Sequence, residues 1–224
     1  MKKLVGLFLV SILCQSSFAQ GTGRSDLKLL QQKEDSLKGI ARKIIQGINA
    51  DDRFNADSTF TRMLVRALKT PHSFHFPFDS LETVSRLYAP DSSFRIFTWQ
   101  LIINDNVIRQ HGAIQMKTWD GALKLFPLID KSDVTTGIAD TIGNNYGWIG
   151  AIYYKIIQKK SSNQNYYTLL GFDENNIRSS RKIIEVLNFL NDEPTFGGRY
   201  FSYEEDSVFK TSQSRYVMEF KKDA

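Results

Sequence analysis

Residues 94–117 read FRIFTWQLIINDNVIRQHGAIQMK, and this stretch sets the fold class. Phe94–Ile103 is dense in aromatic and β-branched side chains, the composition of a pleated strand. Asn104-Asp105-Asn106 supplies turn chemistry, and Val107–Lys117 can return antiparallel. A mid-chain hairpin of this kind asks whether its flanks add further strands through short turns or alternate with helices.

On the C-terminal side the flanks add strands. Residues 123–130 form an apolar segment interrupted by Pro127, and 131–150 are irregular and rich in Asp, Thr, Asn and Gly. Strand character resumes at Ala151–Lys159, turns through Lys160–Asn165 and returns along Tyr166–Phe172. Asp173–Ser180 is a polar connection. Arg181–Leu190 has helical spacing among Ile183, Ile184, Val186, Leu187 and Leu190, and strict alternation fails. The neighbouring turn Asn191–Pro194 and the aromatic segment 196–203 favour a hairpin, so 181–189 is read as a strand. Val208–Phe209 and Tyr216–Phe220 supply late strands.

On the N-terminal side, a turn at Ala89–Ser93 follows a short strand at Val84–Tyr88. Before it, Phe74, Phe76 and Phe78 alternate, which suggests an extended segment with the three rings on one side. Pro77 restricts that segment to an edge or to non-sheet structure. Two helices come earlier. The first begins at Asp26 and repeats Leu30, Leu37, Ala41, Ile44 and Ile48 on one stripe, with Gly39 weakening its interior. The second runs from Asp57 or Ser58, as its cap, to Leu68, with Phe60, Met63, Leu64, Ala67 and Leu68 as its apolar face. Pro71 ends it. The expected architecture is α+β: two N-terminal helices packed on a mainly antiparallel β-sheet assembly. Regular βαβ spacing is absent, and no repeat supports a propeller.

The extreme N-terminus reads as an export address. Lys2 and Lys3 precede an apolar core at Leu4–Leu13, and Ser17-Phe18-Ala19 makes a small-x-small exit. The core is too short for a permanent membrane span, which needs about 20 helical residues. Cys14 is the only cysteine, and Leu13 before it disfavours lipid anchoring. Residues 1–19 are therefore expected to be removed, leaving 20–224 as a single thiol-free domain in the periplasm or outside the cell. The chain carries 29 Lys and Arg against 24 Asp and Glu, net +5; removing the two leader lysines lowers this to +3. Basic residues near the aromatics, such as Lys117, Lys155 and Arg199, are scattered, so nucleic acid is not expected as a partner.

Residues 90–100, PDSSFRIFTWQ, and residues 166–197, YYTLLGFDENNIRSSRKIIEVLNFLNDEPTFG, resemble secreted proteins of Bacteroidetes-type bacteria that carry no assigned function. The resemblance spans most of the mature chain. It implies export and a coherent domain, with no catalytic residues to transfer. Similar sequences continue past the equivalent of Lys221–Ala224, so a C-terminally incomplete chain is one expectation.

The chemistry-bearing residues point in several directions. His72 and His75 fall on opposite faces of an extended segment, and with His111 they give no tetrahedral ligand pattern, so no metal is expected. His111, inside the hairpin, is the most plausible histidine for a Ser-His-acid site, but no G-x-S-x-G elbow accompanies it. Asp91, Asp120, Asp130, Asp140, Asp173 and Glu174 lie near turns or strand ends and are candidates for paired-carboxylate hydrolysis, although turns favour such residues anyway. Asp173-Glu174-Asn175-Asn176 lacks the glycine and the bidentate glutamate of an EF-hand loop and reads as a polar turn. Gly143, Gly147 and Gly150 miss the Rossmann and P-loop spacings, and no cofactor is expected. The best binding candidates are Trp99, Trp119, Tyr146 and Trp148, whose ring faces can stack on a sugar or hold an apolar side chain if gathered at one edge. The alternative for these rings is the core. The expected function is an exported, non-enzymatic binding or envelope-associated domain, with a glycan or an envelope protein as partner. A cofactor-free hydrolase and a structural envelope component are the other readings.

Overall fold

The computed structural model describes residues 23–104, 106–201 and 213–222; the expected leader at 1–19, the expected strand at Val208–Phe209 and residues 223–224 lie outside them. Helix α1 spans Arg24–Gln46 and α2 spans Ala50–Leu68. Ten strands follow among the described residues: β1 Ser85–Tyr88, β2 Phe94–Asn104, β3 Val107–Met116, β4 Lys124–Ile129 and β5 Gly143–Asn144, then β6 Ile152–Ser161, β7 Gln164–Asp173, β8 Ser179–Leu190, β9 Glu193–Phe196 and β10 Arg215–Lys221. The fold is α+β, with both helices N-terminal and every strand pair antiparallel. No helix among the described residues is long and apolar enough to cross a membrane.

The strands make two sheets, β1-β2-β3-β4 and β5-β9-β8-β7-β6, with β10 paired to β8. Period-two alternation along β2 divides its side chains between two cores. Phe97, Trp99 and Leu101 join Leu37, Phe60 and Leu64 beneath the helices. Phe94 and Ile96 join Ile114, Leu169, Ile183 and Trp148 between the sheets. The first sheet is thus the middle of three layers, with helices on one face and the second sheet on the other.

Both helices differ from their expected bounds. α1 stops at Gly47, whose N–H bonds the Lys43 carbonyl, and Ile48 leaves the stripe to stand 94% exposed. α2 starts seven residues before Asp57, capped by Asn49, whose Oδ1 accepts the Asp52 N–H at 2.8 Å. Asp57 is therefore not a cap. It sits mid-helix on the buried stripe with Phe60 and Leu64.

Residues 72–78 are not a strand. Ser73–His75 is one 3-10 turn, His72 and Phe78 both have φ 56°, and Phe74, Phe76 and Phe78 are all buried. The cause is Arg95, itself fully buried. Its guanidinium lies 4.7–5.8 Å from the ring centres of Phe97, Phe78, Tyr88 and Phe74. It also donates to the carbonyls of Ser73 and Phe76, to Tyr88 Oη and to Gln115 Oε1. The segment wraps a cation instead of pairing with a neighbour.

Residues 179–190 do form a strand. β8 fails simple alternation because it packs on both sides: Ile183 and Leu187 enter the inter-sheet core, while Ile184 and Val186 share the opposite face with β7 and β10.

Candidate functional site

Trp99 on β2 and His111 on β3 are directly paired across the hairpin, so both rings project toward the helices. α2 lays Asp57 over them. Its Oδ1 accepts Trp99 Nε1–H at 2.7 Å and faces His111 Nδ1 at 2.9 Å. The two rings meet edge to face, with centroids 5.9 Å apart. Asp57 and Trp99 are 5% and 3% exposed, whereas the His111 side chain remains 31% exposed. With Nδ1 turned to Asp57, Nε2 lies on the ring edge away from that carboxylate.

His111 borders a cleft of about 470 Å³ between α2 and the β3–β4 side of the sheet. Phe54, Ser58, Thr61 and Arg62 form one wall, with Arg109, Pro127 and Ile129 opposite. Phe54 and Ile129 are half-exposed, giving the cleft an apolar lip. Arg109 pairs with Asp133 at 2.9 Å. Arg62 bonds the hydroxyls of Ser58 and Thr59 and makes no ion pair among the described residues. The cleft combines an imidazole held beside a buried carboxylate, a guanidinium with no ion pair among the described residues, and apolar surface. A second hollow of about 500 Å³ between the helix ends, lined by Lys43, Gln46 and Asn55 among others, contains no comparable constellation.

The four candidate aromatics do not gather into a platform. Trp99 is buried on the helix side of the first sheet. Trp148 is fully buried between the sheets, where its Nε1–H donates to Tyr153 Oη at 2.7 Å. Trp119 (91% exposed) and Tyr146 (64% exposed) stand on separate loops. The correction has a simple cause: strand alternation sends the first ring inward, and a buried polar network claims the second. In that network Tyr153 Oη bonds Glu185, which is paired with Arg215 at 3.0 Å. Burial, and next the Glu185 charge, push the Tyr153 hydroxyl well above its ordinary value.

Most of the candidate carboxylates hold the structure together. Asp91 accepts from Ser93, Tyr167, Gln158 and Asn165, tying the β1–β2 turn to the β6–β7 hairpin. Burial opposes its charge, but the bonds from Ser93 and Tyr167 prevail and hold its pKa below the usual value. Asp130 accepts the backbone N–H groups of Gln110, Ser132 and Gly150. Gly150 has to be glycine there, since a Cβ would stand 2.5 Å from Asp130 Oδ2. Asp173 accepts from Gln110 Nε2 and Asn175 N, and burial raises its pKa against those bonds. Gln110 therefore links Asp130 and Asp173 as a structural joint. Glu174 bonds Gln100 and Lys222, Asp120 accepts from Ala122 N, and Asp140 is exposed. Residues 173–179 form a polar turn in which Asn176 Oδ1 accepts from Arg178 N and Ser179 N.

No group of three or more His, Cys, Asp or Glu among the described residues is placed to hold a metal ion. His72 precedes the 3-10 turn and His75 ends it, and burial is the largest cause lowering the His75 pKa. Of the residues singled out in the sequence, His111, Trp99 and Asp130 all border this cleft, and Asp57 is the partner shared by His111 and Trp99. Asp57 was missed as that partner. Its three- and seven-residue spacing to Phe60 and Leu64 was the available signal, since it puts a carboxylate on the buried stripe of a helix. The class that fold and site define is thus a three-layer α+β domain with a polar-apolar cleft. No family model, curated protein or solved structure matches this chain.

Proposed function

We propose that the chain is an exported, envelope-associated binding domain that takes an acidic glycan in the cleft between α2 and β3–β4. The observation that carries this reading is His111, half-open to the cleft with Nδ1 facing Asp57 at 2.9 Å. A sugar hydroxyl donates to Nε2, the apolar face of the ring rests on Phe54, and an acidic substituent meets Arg62. Lectin-like sites of this kind need a few oriented polar groups beside apolar surface, and the cleft supplies both. Export from residues 1–19 and the likeness to secreted Bacteroidetes-type proteins belong to the same reading.

The test is titration with glucuronate-containing and neutral oligosaccharides, followed by calorimetry and by the His111 ring resonances. The acidic series binds and shifts those resonances. His111→Ala weakens binding on the order of tenfold, the effect of removing a hydrogen bond within a partly desolvated site. Unchanged affinity in that variant, or shifts confined to residues away from the cleft, overturns the assignment.

A further inference from the structure

The outer face of the second sheet has an unusual make-up. Tyr153, Leu169, Ile183 and Leu187 point into the inter-sheet core, so their strand neighbours point the other way. The registers align these outward residues. Lys155, Ile157 and Lys159 on β6 lie opposite Leu170, Thr168 and Tyr166 on β7. Leu170 and Phe172 lie opposite Ile184 and Lys182 on β8, which in turn face Tyr216 and Met218 on β10, with Phe220 following. Neither helix reaches this side, because both pack into the core of the first sheet. Ile157, Met218 and Phe220 are 42–48% exposed.

The charge on this face is mostly positive, with Glu193 on β9, opposite Leu190, as an outward carboxylate at its far end. Its outward positions on β6, β7, β8 and β10 include three lysines and no carboxylate. Lys155, Lys159 and Lys182 are all exposed and none joins an ion pair among the described residues. Asp192 and Glu193 sit at the tip of the β8–β9 hairpin. Tyr200 and Phe201 lie against Tyr166 and Tyr216 on this face, and the apolar surface and exposed lysines beside them complement a surface that is itself both apolar and anionic. Lysine stems lie along apolar surface while their ammonium groups reach phosphate, and tyrosines suit the headgroup level. Stacking two copies through this face would set lysines against lysines, which argues against a second copy as the occupant.

We propose that this face is a peripheral docking surface for bilayers rich in anionic phospholipid. It is separate from the glycan cleft, and its success or failure does not depend on that reading. The experiment is co-sedimentation of the full chain with vesicles of phosphatidylglycerol mixed with phosphatidylcholine. Three variants are compared in the same form as the parent protein. Lys155→Gln with Lys159→Gln and Lys182→Gln removes the face charge. Met218→Ser with Phe220→Ser removes apolar contact. Lys28→Gln with Lys43→Gln and Lys69→Gln removes equal charge from exposed positions on and beside the helices.

Each lysine near an anionic surface strengthens partitioning roughly fivefold, so the sheet triple variant loses on the order of a hundredfold. The Met218/Phe220 variant also weakens binding, and the helix triple variant leaves it near the parent value. Equal losses in the two lysine sets reduce the effect to net charge and overturn the proposal. So does an unchanged sheet triple variant. If soluble polyglutamate displaces the protein from vesicles and binds it as strongly in a lysine-dependent way, the face belongs to an acidic protein partner and the lipid assignment fails.

Discussion

Arg95 and Asp173 show how single residues carry this fold. Arg95 is a buried cation without a carboxylate partner among the described residues; burial lowers its pKa to about 10, which leaves it charged at physiological pH. Aromatic faces and main-chain carbonyls take the place of a counter-ion. Asp173 is the opposite case, since burial raises its pKa above the ordinary carboxylate value despite the bonds it accepts. The folded state then takes up a proton at higher pH than the unfolded state does. The Asp173 contribution to stability grows as pH falls through that raised value, and it is lost as pH rises back through it. Asp173→Asn keeps the shape and removes the titration. Its stability relative to the parent protein is therefore expected to be highest at neutral pH and to decline toward acid, measured by urea unfolding across that range. A parallel pH dependence in the two proteins would contradict the assignment. None of this was legible in the sequence, where Arg95 looked like a strand residue and Asp173 like a turn former.

At the scale of elements, periodicity together with turn chemistry found most of the strands and most of α1, missed β5 within 131–150, and failed where a segment was recruited by something distant. The start of α2 was hidden because residues 50–56, ADDRFNA, carry little apolar pattern. The phenylalanines at 74, 76 and 78 imitate strand alternation, yet Phe74 and Phe78 set their rings against Arg95 and Phe76 gives it a carbonyl. Two glycines separate propensity from packing. Gly39 is exposed in α1, and a Cβ there meets nothing within 4 Å. Gly39→Ala should stabilise the protein by about 0.5–1 kcal/mol through helix propensity alone. Gly112 lies in β3 beside β2, where a Cβ would stand 2.6 Å from the Phe97 carbonyl oxygen. Gly112→Ala should cost about 1–3 kcal/mol through overpacking. Thermal and urea unfolding read both changes, and opposite signs are the expected result.

Across the whole molecule, β2 is the shared wall of both cores, with Phe97 on one side and Ile96 on the other. Damage to either core should therefore be felt throughout. Phe60→Ala beneath the helices should cost about 3–5 kcal/mol, and Leu169→Ala between the sheets about 2–5 kcal/mol. Near- and far-ultraviolet circular dichroism should still report one coincident transition in each variant. Separate midpoints would mean that the layers unfold independently. The sequence by itself determined the α+β class, the two helices and the antiparallel hairpins, because these follow from local periodicity and turn chemistry. It also singled out His111 as the histidine of interest. Only the tertiary structure supplied Asp57 as its partner, buried Trp99 and Trp148, caged Arg95, and gave the second sheet its lysine-bearing outer face. Each of these depends on which residues distant in the chain share a face, and local periodicity does not encode that pairing.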